Sequence, residues 1–329
     1  MAHEMLETRT MTEMVRMFDL GDLFGLSRLA PIVEINSQVA EWQELNYSRR
    51  LSALYNKNSP GGEVAREQIT YRTATMLNSR EHTPIEGIDM NTLMRPGQSD
   101  TSVRYGEQLV TDGLKNLTNQ VRRRMEQVCM TIFQGGQASL YIEGSTQTVG
   151  EAFSTSPDHT PTVAAAWSSS NTDILTDVAT YKMLIKQDSG LPPDFILFDE
   201  SVHGWLLNNT VLREFLRETN DVNNIVREGR ILRLMGLDVH VYDEVYTDAA
   251  GNITAIWPVN FALMGCYPAK SMAKTLVGVP PDVESNGSPG IFSKSHEVWN
   301  PSGVEVLVHA AFLTVLPIKD AFLYIDLVP

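Results

Sequence analysis

The chain has 329 residues, 43 % of them hydrophobic and 20 % charged. That is enough apolar material for one large core or two ordinary ones, and it excludes disorder as the default state. A formal net charge of −14 argues against a protein whose main task is neutralising phosphate. Two cysteines, Cys129 and Cys266, with no Cys-x-x-Cys spacing, exclude a disulfide framework and read as buried thiols in a reducing cytosol.

The opening stretch "MAHEMLETRTMTEMVRMFDLGDLF" lacks the apolar run of a signal peptide. Leu6, Thr10, Met14 and Met17 or Phe18 fall at helical spacing. Five methionines in the first seventeen residues suggest an adaptable surface that packs on something, not necessarily its own core. Residues 38–80 read as two strand-like arms, "EWQELNYSRRLSALYNK" and "EVAREQITYRTATML", around the turn signal "NSPGG" at Asn58–Gly62. On the second arm Ile69, Tyr71, Thr73 and Thr75 alternate with Gln68, Thr70, Arg72 and Ala74. A two-stranded hairpin charged on both faces buries no core of its own. It must lean on another surface, which is the first sign of a partner.

Residues 81–106, with Pro84 and Pro96, read as a connector. The spacing of Val110, Leu114, Leu117, Val121, Met125, Val128 and Ile132 then predicts a helix over 107–134, with Lys115, Gln120, Arg123 and Glu126 on other faces. Such a helix spans roughly 40 Å, and Gly135-Gly136 stops it. A strand-like "ASLYIEG" and a Ser/Thr/Pro-rich loop follow. Asn171 or Thr172 is the predicted cap of the helix "DILTDVATYKMLIKQDSG", which Gly190 closes. "PDFILFD" reads as a short buried strand, and "DESVHGWLLNNTVLREFLRET" as a helix in two pieces. "LDVHVYDEVYT" and "ITAIWP" flank a hairpin turn at Asp248–Asn252; "FALMGC" is a further strand, and the tail is two strands broken near Pro317. The fold class is α+β, with mixed or antiparallel strands. The longest uncharged run, Asn252 to Ala269, contains Pro258 and Pro268 and is not a membrane span.

Chemistry is sparse. No phosphate-binding loop, nucleophile elbow or zinc-binding His-Glu-x-x-His is present. "DESVH" admits two readings: a helix N-terminus capped by Asp199 or Ser201, or a hydrolase site built from Asp199, Ser201 and His203. Ser and His two residues apart on a helix point apart, which favours the cap. Ser293–Glu297 reads as a strand edge. Asp243 and Glu244, with Asp248, read as a solvated hairpin end or a cation site. Arg122-Arg123-Arg124 spread over about 200° of helix, so ion pairs with acidic neighbours compete with phosphate binding. Lys57, at the hairpin tip, is placed to reach another subunit. No catalytic, cofactor-binding or metal-binding residue is predicted.

Several stretches in succession carry a resemblance: "RRRMEQVCMTIFQGGQASLYIEG", "AAAWSSSNTDILTDV" through Trp167, Asp173, Ile174 and Asp177, "LPPDFILFDESVHGWLLNNTVLREFL", "GLDVHVYDEVYTDAAGN" and "HAAFLTVLPIKDAFLYIDLV". Together they resemble the lambda-type (protein E) family of tailed-phage major capsid proteins, well over 105–329 and by order of elements over 1–104. The resemblance implies the tailed-phage and herpesvirus capsid fold. Its parts would be an N-terminal arm (1–37), an extended hairpin loop (38–80), a peripheral domain with a spine helix (81–154 and 276–329) and an axial domain (155–275). It implies hexamers and pentamers of an icosahedral head shell, assembled in the host cytoplasm and carried in the virion, with no enzyme activity. The partners implied are other copies of the chain, a portal, a decoration protein and a separate scaffolding protein, since only about forty residues precede the hairpin. DNA would be enclosed without sequence-specific binding, and no membrane is involved. Candidate intersubunit contacts are Arg49, Arg50, Lys57, Asn58, Pro60, Gly61, Arg66, Arg122, Arg123, Asp243 and Glu244. The competing readings are the shell of a cellular nanocompartment of the same fold, the hydrolase, and a nucleic-acid-binding module through Arg122–Arg124.

Overall fold

The computed structural model describes residues 7–18, 21–45, 70–86, 99–134, 139–142, 145–148, 157–218, 226–227, 230–247, 251–299 and 302–329. In chain order these form α1 (Thr8–Met17), a single π-helical turn (Gly25–Leu29), β1 (Ile32–Glu34), β2 (Val39–Glu44), β3 (Thr70–Thr75), β4 (Leu77–Glu86), α2 (Ser99–Phe133), β5 (Ser139–Ile142) and β6 (Ser145–Thr148). Then come α3 (Ile174–Ser189), β7 (Phe195–Phe198), α4 (Glu200–Asn208), α5 (Thr210–Glu218), β8 (Val226–Arg227), β9 (Arg230–Ile231), β10 (Arg233–Leu234) and β11 (Leu237–Val241). The chain closes with β12 (Val245–Thr247), β13 (Ile253–Ala255), β14 (Phe261–Gly265), α6 (Pro268–Ser271), β15 (Lys274–Val277), β16 (Phe292–Trp299), β17 (Ser302–Val315) and β18 (Phe322–Asp326). The chain divides into two compact units.

The first unit takes residues 1–40, 73–129 and 274–315. Its sheet is organised around β17. Phe312 sits opposite Val277 of β15 on one side and Leu77 of β4 on the other. His309 sits opposite Phe292 of β16 and Arg80 of β4. So β15 and β16 lie end to end along one edge of β17, and β4 runs along the other. β1 adds parallel to β15. On β17, Val306 is buried between half-buried neighbours, and every residue from Val308 to Val315 is buried, so this half of the strand is covered on both faces. On α2 the predicted stripe Val110, Leu114, Leu117, Val121, Met125 and Val128 is buried. Cys129 lies against the hydroxyls of Thr275 and Thr314, where burial, reinforced by the Glu126 carboxylate, pushes its thiol far up.

Three sequence expectations change here. Residues 81–86, read as the start of a connector, belong to β4 and pair with β17, a partner more than two hundred residues away that no local pattern announces. The long helix begins at Ser99, not 107. Its first turns are polar, and apolar periodicity carries no signal before Val110. In the leader, the buried residues of α1 are Met11 and Val15, one position off the predicted stripe, and Met17 is exposed. The helix packs on β16 of its own unit, where the Thr12 hydroxyl donates to the carbonyl of Ser293 and accepts from its N–H.

The second unit takes residues 41–72, 130–273 and 316–329. Its sheet runs β10-β11-β7-β14-β18, with β7 and β11 parallel and β14 antiparallel to both β7 and β18. Trp167, Ile174, Val178, Ile185, Ile196, Phe198, Val202, Leu206, Met264, Leu323 and Ile325 form its core. α3 is capped by Asp173 rather than Asn171 or Thr172: its carboxylate accepts from both the N–H and the hydroxyl of Thr176. Gly190 ends the helix at φ 80°, a left-handed conformation that glycine adopts without strain. β12 and β13 form the predicted hairpin, and the tail strands part company at Pro317: β17 joins the first sheet and β18 the second.

Candidate functional site

One polar contact in the first unit is made by a residue that the spacing sets on another face than the apolar stripe. Glu126 lies off that stripe and is nevertheless fully buried. Its carboxylate accepts from the backbone N–H of Gly25 at 2.7 Å and of Leu26 at 2.9 Å. These are N–H groups of the π-helical turn's first residues, unsatisfied by the turn itself. One residue carriage makes the approach possible: a Cβ at Gly25 would stand 2.9 Å from both Glu126 oxygens. Nearby, Arg122 donates to the carbonyl of Gly21, and Leu26, Leu29 and Ala30 are buried. The segment after the leader is thus held to α2 by a charge-assisted pair of hydrogen bonds plus an apolar plug. The sequence carries one weak signal for it, an acid one position beyond Met125 in an otherwise apolar stretch.

Of the candidate contact residues, Arg49, Arg50, Lys57, Asn58, Pro60, Gly61 and Arg66 lie outside the described residues. The hairpin's base is visible: β2 and β3 pair, Arg72 meets Glu44 at 3.2 Å, and Tyr71 is largely exposed. Arg122 and Arg123 are half-buried on α2, and Arg124 bonds the side chain of Gln127 at 2.6 Å. The structure does not gather the three arginines into one patch. Asp243 accepts from the N–H of Glu200 at 3.2 Å, so it helps cap α4; Glu244 is exposed, and its carbonyl accepts from Ile256. Among the described residues no group of three His, Cys, Asp or Glu side chains could hold a metal ion, and no helix is long and apolar enough to cross a membrane.

"DESVH" resolves as a cap. Asp199 accepts from both the N–H and the hydroxyl of Ser201. His203 is buried, and its Nε2 accepts from the N–H of Ile231 at 3.2 Å, while Nδ1 faces Glu200 at 3.7 Å. Its lone pair is therefore spent on the backbone, and the Ser201 hydroxyl is turned to an acid. A nucleophile needs a base with a free lone pair in reach, so these three residues are not arranged as a triad. Cys266 is buried, with burial first and then the Asp194 charge pushing its thiol up to about 12, which disfavours the reactive thiolate.

With the geometry in place, the comparisons with known proteins give it a context. The model of the phage major capsid protein E family matches residues 7–325. No curated protein matches. A structure described as a prophage capsid protein of E. coli CFT073 is 16 % identical, covers 98 % of this chain and 99 % of its own, and superposes with a TM-score of 0.69. The mature capsid of bacteriophage PhiM1 gives 0.50 at 12 % identity, covering 94 % and 88 %. An encapsulin from Synechococcus elongatus PCC 7942 also gives 0.50, at 11 % identity, covering 98 % and 90 %. At these identities the structures show a shared fold. The fold score alone does not separate a phage head from a cellular compartment; the family match does.

Proposed function

The chain belongs to the phage major capsid protein E family, and from that premise we propose that its copies close into hexamers and pentamers of an icosahedral head around packaged viral DNA. The observation that carries this reading is the family match over residues 7–325. As a capsid protein it resides in the virion; assembly in the host cytoplasm is part of the proposal. A shell closes by heterologous contacts repeated many times, and many weak contacts sum by avidity. The intersubunit contacts proposed are those of the hairpin, Arg49, Arg50, Lys57, Asn58, Pro60, Gly61 and Arg66, with Arg122, Arg123, Asp243 and Glu244. Residues 1–37 are the proposed arm, 38–80 the overlapping loop, 81–154 and 276–329 the peripheral domain, and 155–275 the axial domain; within the closing stretch β18 pairs with β14 of the second unit. A scaffolding protein, a portal and a decoration protein are the proposed partners. The net charge of −14 supports enclosing DNA without binding its sequence.

Electron microscopy with light scattering, on the protein expressed alone and with its scaffolding protein, tests the reading. Closed shells, or discrete pentamers and hexamers, are expected, and deletion of Asn58–Gly62 should abolish them. A monomer under every condition would overturn the proposal.

A further inference from the structure

The two long edges of the first unit's sheet are treated differently. At β16 the outward N–H and C=O of Ser293 are both taken by Thr12 of α1. At β4, among the described residues, no strand pairs with the outer edge over all ten residues.

The direction of each backbone group on β4 follows from the register. Ser293 points away from β17, so its partner Val308 makes no hydrogen bonds toward β16 and turns its N–H and C=O toward β4. Val308 sits opposite Glu81. Glu81 is therefore bonded to β17, and Asn78, Arg80, His82 and Pro84 point outward. Pro84 gives the same answer independently, because a proline within a sheet keeps its nitrogen on the open side. All four residues are exposed. The edge thus presents the N–H groups of Asn78, Arg80 and His82 and the carbonyls of all four, and Pro84 ends the row of donors.

We propose that the Asn78–Pro84 edge of β4 is a docking strand, completed by an extended strand from a second copy of this chain. The proposal rests on the shell reading and names one of its contact surfaces. Two arguments select the occupant. Arg80 and His82 share one face of β4, with His82 against Glu305 and Glu81 on the other face, so an incoming strand of another copy that sets an acid opposite Arg80 is complementary there. A two-fold pairing of β4 with itself over this whole stretch is disfavoured, since it sets Glu81 against Glu81 and Arg80 against His82. A heterologous contact, the kind that repeats around a shell, avoids that pairing.

His82→Pro tests it. The substitution removes an outward N–H that makes no bond to β17, in a register where Pro84 already sits. His82→Ala loses the same side chain, including its 3.1 Å contact with Glu305, but keeps the amide. The expected result is that assembled particles fall at least tenfold with His82→Pro and stay near wild type with His82→Ala, while both unassembled subunits melt within a few degrees of wild type. Should His82→Pro fail to fold, hydrogen exchange of the wild-type protein decides: the amides of Asn78, Arg80 and His82 should slow at least tenfold on assembly. Normal particles from His82→Pro, or unchanged exchange at those amides, would overturn the docking strand and leave the shell reading standing. Failure of the wild type itself to assemble would overturn the shell reading instead.

Discussion

β7 is buried at all four residues, Phe195 to Phe198, whereas β4 keeps Asn78, Arg80, His82 and Pro84 in solvent along one edge. Both strands belong to five-stranded sheets of one chain. The second unit's sheet places β7 between two paired neighbours, and its core joins sheet residues to those of α3 and α4. The first unit's sheet is built on fourteen-residue β17 and leaves the ten-residue edge strand β4, whose outward backbone groups no described strand pairs. Pro84 and the charges of Arg80 and Glu81 guard that edge against indiscriminate pairing without covering it. The difference separates a unit that completes its own core from one that leaves contacts to be made.

The comparison breaks most visibly at Phe198. This side chain is fully buried in the second core, and Phe198→Ala removes contacts that a rigid core does not close over. The expected loss is about 3–5 kcal/mol, read by urea unfolding through the fluorescence of Trp167 and Trp257, both buried in the same unit. A loss under about 1 kcal/mol would mean that this core tolerates a void and is not the self-sufficient half.

The first unit's internal cohesion is sharpened by Glu126→Gln. The amide keeps the size of the side chain but offers one acceptor where the carboxylate offers two, and turns donors toward the N–H of Gly25 or Leu26. A cost of about 3 kcal/mol follows from losing charge-assisted bonds in a dry site. Hydrogen exchange at Gly25 and Leu26 should accelerate with it. Unchanged exchange would show that the apolar residues Leu26 and Leu29 hold the segment by themselves.

How much of this was legible in the sequence follows from the kind of signal each element gives. The stripe Val110 to Ile132, the cap and close of α3 near Gly190, the split helix after Asp199 and the β12–β13 hairpin are local, and period or capping chemistry reveals them. The polar start of α2 at Ser99 has no apolar period to read. Glu126 sits beside the stripe in sequence and inside the core in space, because its partners are about a hundred residues away. Pro317 reads as a break in a strand; that the two halves join different sheets depends on pairings with β4 and β14 that no local pattern encodes. The succession of motifs in 105–329 made the family legible where no single motif did.

The finest distinction lies at the covered end of the first sheet. His309 is buried beside the Asp282–Lys294 ion pair and opposite Arg80, and its Nδ1 has no hydrogen-bond partner among the described residues. Burial first, then the Arg80 guanidinium, pull its imidazole down to about 4 from the usual 6.5; Asp282 opposes the fall and Lys294 adds to it. The unfolded chain therefore binds a proton between those values that the folded chain refuses. Stability contributed by the neutral ring is complete above pH 6.5 and is lost as pH falls toward 4. At about 1.4 kcal/mol per unit, discounted for the exposed Arg80, the loss is on the order of 2 kcal/mol. His309→Leu keeps an apolar side chain there and removes the titration, so its stability should change less between pH 6.5 and 4.5 than that of the wild type. Asp282 does not blur the test: burial raises its carboxyl, but the Lys294 bond, the Glu284 N–H and the charges of Lys294 and His309 outweigh that and lower it, so its contribution is lost only at more acid pH. Parallel slopes for the two proteins over that window would show that the acid sensitivity of the first unit arises elsewhere than at His309.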